Sequence, residues 1–112
     1  MIARAQHRFA PISARKARLV GDLIRGLPVT QALGVLALTN KRAATVVDKV
    51  VRSAWANANQ ADPHADEEAY RISELRIDGG PMFKKIRPRA MGRAVRIRRR
   101  SSHITVVLSD EG

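Results

Sequence analysis

From Gly79 to His103 the chain carries no acidic residue, while nine of its 21 Lys and Arg fall between Lys84 and Arg100. Like charges at this density repel one another and have no carboxylates to neutralise them, so the stretch gains order mainly against an external polyanion. Nucleic acid is the obvious one. Gly79, Gly80, Pro81, Pro88 and Gly92 punctuate the run, interrupting regular pairing and permitting bends or close backbone approach. The remaining chain must fold around this feature. With 112 residues, 45% of them hydrophobic and a net charge of +11, it is no disordered basic tail, and one domain spanning 1–112 is expected.

The apolar pattern supplies that domain. Residues Ile2 to Phe9 alternate, with Ala3, Ala5 and Phe9 on one parity and Arg4, Gln6 and Arg8 on the other, as in a half-buried strand ended by Pro11. Ser13 is placed to cap a helix running to about Arg25, burying Ala17, Val20, Leu23 and Ile24 and stopping at Gly26. Pro28 opens a second helix with Ala32, Leu33 and Leu36 on its inner face, and Thr39 or Asn40 caps a third. That third helix, Lys41 to about Gln60, carries Ala43, Ala44, Val47, Val50, Val51, Ala54, Trp55 and Ala58 at helical spacing and forms the spine of the core. Tyr70 to Asp78 reads as a strand in which Tyr70 and Ile72 fall out of phase with Leu75 and Ile77, implying a bulge near Ser73 and Glu74. His103 to Ser109 is rich enough in β-branched residues to be central.

The expected fold is therefore α+β: a small three-stranded antiparallel sheet packed by three helices, with a long protruding β-hairpin arm at residues 79–102. Roughly ten to twelve residues on each side of the arm, at about 3.3 Å each, give a projection of order 35 Å, turning near Arg87-Pro88-Arg89. A ribbon of two strands is marginal alone in water, so its shape is set by its surroundings. Arginine dominates the arm, and its planar guanidinium holds phosphate bidentately and stacks on bases, which favours structured RNA. Met82, Phe83, Ile86 and Met91 add apolar contacts. Arg15, Lys16 and Arg18 sit near a helix start, where each cation costs about 0.3 to 1 kcal/mol, so they answer a ligand and not the helix dipole.

Other chemistries find little support. A basic run is often a solvated face or a localisation signal, but its density between strand signals favours binding. His7, His64 and His103 share no motif, and the acidic loop Asp62 to Glu68 lacks the spacing of an EF-hand, so neither a metal site nor a general base is expected. There is no P-loop, no G-x-S-x-G and no cysteine. Catalysis and cofactors are not expected. No apolar run approaches the roughly 20 residues of a membrane span, and the first residues lack a signal-peptide core, so a cytoplasmic protein without membrane insertion is expected. A DNA-architectural protein using a basic ribbon is the competing expectation.

The segments Ser13–Gly26 (SARKARLVGDLIRG), Thr39–Ala44 (TNKRAA), Gly80–Ala94 (GPMFKKIRPRAMGRA) and Ser102–Val106 (SHITV) resemble the bacterial-type large-subunit ribosomal protein L twenty-two family. The likeness covers nearly the whole chain in order, and Pro88 to Ala94 is its most specific part. It implies a structural constituent of the large subunit that binds and organises ribosomal RNA, near other ribosomal proteins at the exit of the peptide tunnel. The arm would thread through RNA, its tip of Met82, Lys84, Lys85, Ile86, Arg87, Pro88, Arg89, Ala90, Met91, Gly92 and Arg93 lining the tunnel and meeting the nascent peptide. RNA contacts would come from Lys84, Lys85, Arg87, Arg89, Arg93, Arg96, Arg98, Arg99 and Arg100, with Ser102 and His103 at the end of the arm and Arg15, Lys16, Arg18, Lys41 and Arg42 on the body. Ala14, Gly80 and Lys85 depart from the residues usual in that family, Pro, Glu and Arg respectively, and Gly80 is expected to loosen the base of the arm.

Overall fold

The computed structural model describes residues 2–80, 83–88 and 94–110, the strands at 83–88 and 94–99 by their backbone alone. In chain order the elements are β1 (Ile2–Ala10), α1 (Ala14–Ile24), α2 (Val29–Leu38), α3 (Arg42–Ala61), β2 (Arg71–Gly79), β3 (Phe83–Pro88), β4 (Ala94–Arg99) and β5 (Ser102–Ser109). Strands β1, β5 and β2 form an antiparallel sheet in that order, and β3 with β4 forms a separate two-stranded one. The β-branched β5 is central, with Ile104, Val106 and Leu108 fully buried.

Helix α3 packs across β1 and β5 with its Ala and Val stripe inward, and α2 lies against it. Asn57 Nδ2 ties α3 to β1 through the Arg4 carbonyl at 2.8 Å. Helix α1 rides on β2, and Gly21 permits the approach: a Cβ there would lie 2.9 Å from Leu75 Cδ2. Its buried set is Ala17, Val20, Gly21 and Ile24, an i, i+3, i+4, i+7 row. Leu23, expected inside, falls off that row and is 53% exposed.

The caps follow local chemistry. Ser13 Oγ accepts from the Lys16 N–H at 3.3 Å, as expected, and Gly26 leaves α1 at φ +77°. Neither Thr39 nor Asn40 caps α3. Thr39 Oγ1 instead donates to the Val35 carbonyl at 2.7 Å, closing α2, and α3 begins after Lys41, whose side chain makes no capping bond. In the acidic loop, Asp62 Oδ1 and Asp66 Oδ1 accept from the N–H groups of His64 and Glu68, which folds the loop into turns.

Two bulges re-aim the strands. The expected one in β2 lies between Ile72 and Glu74, and Ser73 Oγ donates to the Val107 carbonyl. The second, in β1, is not signalled by the alternation: His7 pairs with Ile104 but Ala10 with Ser102, so Arg8 and Phe9 together face His103. This moves Ala10 into the core and turns Phe9 out, 50% exposed, correcting the expectation that Phe9 shares the buried parity of Ala3.

The outer edge of β2 is partly covered from α1 and the α1–α2 connection. Gly26 N–H donates to Ile72 O, Ile72 N–H to Leu27 O and Val29 N–H to Tyr70 O, so the α1–α2 connection acts as a short extra strand. Beyond it, Arg25 Nη1 donates to Leu75 O at 2.7 Å, and Arg18 Nε and Nη2 donate to Ile77 O at 3.2 and 2.9 Å.

Candidate nucleic-acid interface

The arm leaves the body where β2 and β5 end. Gly79 pairs with Ser102, and the Gly80 N–H then donates to the Ser101 carbonyl at 2.9 Å. A Cβ at Gly80 would fall 2.5 Å from Ser101 Oγ. The glycine expected to loosen this base instead lets the two chains approach closely.

Beyond it β3 and β4 pair antiparallel from Phe83↔Arg99 to Pro88↔Ala94. Pro88 closes the paired part of β3, and the expected turning point near Arg87-Pro88-Arg89 falls partly outside the described residues. Met82, Arg89, Ala90, Met91, Gly92 and Arg93 lie outside the described residues. Along the ribbon Lys84 is set opposite Arg98, and cationic residues elsewhere face only apolar ones: Lys85 with Ile97, Ile86 with Arg96, Arg87 with Val95. No pair unites opposite charges, and like charges directly opposed weaken a two-stranded ribbon. The nine cations from Lys84 to Arg100 outweigh everything else in a net charge of +11. The longest dimension of the molecule is 63 Å, against 25 and 18 Å across.

On the body the expected contact residues divide. Arg18 is committed to the β2 edge. Ser102 is fully buried, so its hydroxyl is turned away from any external ligand. His103 Nδ1 accepts the Phe9 N–H at 3.0 Å, and the two rings meet edge to face at 4.8 Å. Arg15 is exposed. Lys16, Lys41, Arg42 and Arg100 are also exposed and come together around a groove of about 1220 Å³, where the starts of α1 and α3 meet the foot of the arm. Phe9 and Leu19 add apolar surface to its lining. The alternation of β1 hides Phe9, and only the neighbouring Pro11 hints that regular pairing fails there.

Surface cations elsewhere behave differently. Arg25, Arg52 and Arg76 each pair with an aspartate, Asp22, Asp48 and Asp78 respectively. Among the described residues no carboxylate pairs with the four groove cations. The chain thus combines a ribbon whose sequence from Gly79 to His103 holds no carboxylate with, at its foot, a groove whose cations pair with no described carboxylate, the electrostatic footprint of a polyanion binder.

A family model described as Ribosomal protein L22p/L17e matches residues 5–109. The match takes in the sheet, the three helices and the arm, and proteins of this kind are generally non-enzymatic constituents of a cytoplasmic particle. The chain therefore belongs to the ribosomal protein L22p/L17e family: it is a structural, RNA-binding component of the large ribosomal subunit.

Proposed function

We propose that the arm threads between segments of large-subunit ribosomal RNA and that its tip, residues 82–93, forms part of the wall of the nascent-peptide exit tunnel. The sheet-and-helix body stays at the outer surface beside neighbouring ribosomal proteins, and the chain carries out no chemistry of its own. The observation that carries this reading is the register of the arm. A ribbon that sets Lys84 against Arg98 and offers no opposite-charge pair draws no electrostatic stability from itself. Phosphate supplies the missing counter-charge, and arginine matches its geometry with paired N–H donors.

Lys84, Lys85, Arg87, Arg89 and Arg93 contact RNA towards the tip, and Arg96, Arg98, Arg99 and Arg100 on the return. Arg15, Lys16, Lys41 and Arg42 extend the contact over the body. The test is photocrosslinking in assembled large subunits from single sites. A label at position 98 is expected to reach RNA, and one at position 91 to reach a peptide stalled during synthesis. A label at position 91 that reacts only with reagents at the outer surface would overturn the tunnel assignment.

A further inference from the structure

We propose that the groove at the foot of the arm seats one unstacked nucleotide of the RNA, its base against Phe9 and its flanking phosphates on Lys16, Lys41, Arg42 and Arg100. The proposal rests on the RNA-binding reading and deepens it. The groove, about 1220 Å³, exceeds the ~300–1,000 Å³ of ordinary small-molecule pockets, so it admits a nucleotide with its adjoining backbone. Its lining mixes two chemistries: the four cations that no described carboxylate pairs with, and the apolar Phe9 and Leu19, the latter one turn along α1 from Lys16.

Phe9 is held as a platform. It occupies the left-handed region at φ +57°, rare for a bulky side chain, and there its N–H donates to His103 Nδ1 while the imidazole braces the ring edge-on. The ring is half exposed, and the Arg8 guanidinium lies over it at 5.5 Å from its centroid, so an entering base meets the aromatic surface that this cation leaves uncovered. Core packing does not account for this arrangement, because the bulge that exposes Phe9 buries only Ala10 in exchange. The cations stand where a helix disfavours them. Neither α1 nor α3 has an acidic residue in its first turn, and α3 has no side-chain cap; the Ala44 N–H turns back to the Lys41 carbonyl, leaving those of Arg42 and Ala43 to be answered by an anion such as phosphate.

The test measures binding of the full chain to deproteinised large-subunit ribosomal RNA, with an unrelated RNA of equal length as reference. Phe9→Ala and Phe9→Leu are expected to weaken binding by about five- to a hundredfold, the range for losing one base–aromatic stack, and Phe9→Trp to retain it. Lys41→Gln and Arg42→Gln are each expected to make the salt dependence shallower by about one unit of slope. Thermal melts of each variant separate lost contact from lost fold. If folded Phe9→Leu binds like the parent while neutralising Arg98 and Arg99 weakens binding, the nucleotide seat is overturned and the RNA reading stands. If the parent fails to prefer ribosomal RNA over the reference, the RNA reading falls as well.

Discussion

Tyr70 carries a hydroxyl into a place where nothing answers it. The side chain is almost wholly buried, its ring meets Trp55 edge to face at 5.6 Å, and its oxygen has no hydrogen-bond partner among the described residues. A buried unpaired hydroxyl costs free energy that an apolar group of the same shape does not. Tyr70→Phe is therefore expected to leave stability unchanged or raise it by about 1 kcal/mol, read as the denaturant midpoint at neutral pH. Burial also pushes the phenol above its ordinary value of 10.0, and the nearby carboxylates of Asp110 and Asp62 push it the same way. The unfolded phenol then ionises first, so the folded state binds more protons in alkali. Stability from this group is full below pH 10 and is lost as pH rises beyond it. Midpoints measured from pH 8 to 11 should fall more steeply for the parent than for Tyr70→Phe; parallel curves would show that Tyr70 does not contribute.

At the scale of elements, the outer edge of β2 is an invitation to pair with another chain, and this protein partly covers it with borrowed donors. Arg18 and Arg25 reach from α1 to the Ile77 and Leu75 carbonyls, continuing the cover begun by the α1–α2 connection. Arg18→Ala is expected to cost about 1.5 to 3 kcal/mol, the usual worth of a charge-assisted bond, and to raise aggregation in the transition region of a melt. A shift of RNA affinity without loss of stability would return Arg18 to the interface. This division of labour explains what the sequence could disclose. The centrality of β5, the α3 stripe and the β2 bulge were legible because each is written in neighbouring residues. Five consecutive β-favouring side chains, a helical period and a break of phase need no knowledge of the rest. Phe9 and Leu23 were misplaced because each depends on a partner: the β1 bulge on where Ser102 pairs, and the α1 face on where β2 lies. The arm's charge was likewise local. The groove was not, since it joins residues from β1, two helix starts and position 100.

For the whole molecule, the separation of the two sheets has a thermodynamic meaning. Strands β3 and β4 pair with each other and not with the β1-β5-β2 sheet, while the buried core among the described residues is drawn from the three helices, that larger sheet, Ile12 and Tyr70. Folding of the body should then be nearly independent of the arm, and binding should depend on it strongly. Deleting Lys84 to Arg93 removes five cations and leaves in place every core residue identified among the described ones. The shortened chain is expected to unfold in one cooperative transition within a few degrees of the parent. Its affinity for ribosomal RNA should respond to salt far less steeply. If the parent neutralises about six phosphates, its log affinity falls with log salt at roughly −4 to −5, and losing five contacts flattens that slope by about three to four units. Together the two measurements decide the matter. A deletion that melts without cooperativity would make the arm part of the core. One that melts normally but keeps the parent's slope would locate the phosphate contacts on the body and on Arg96 to Arg100, leaving the tip free of RNA.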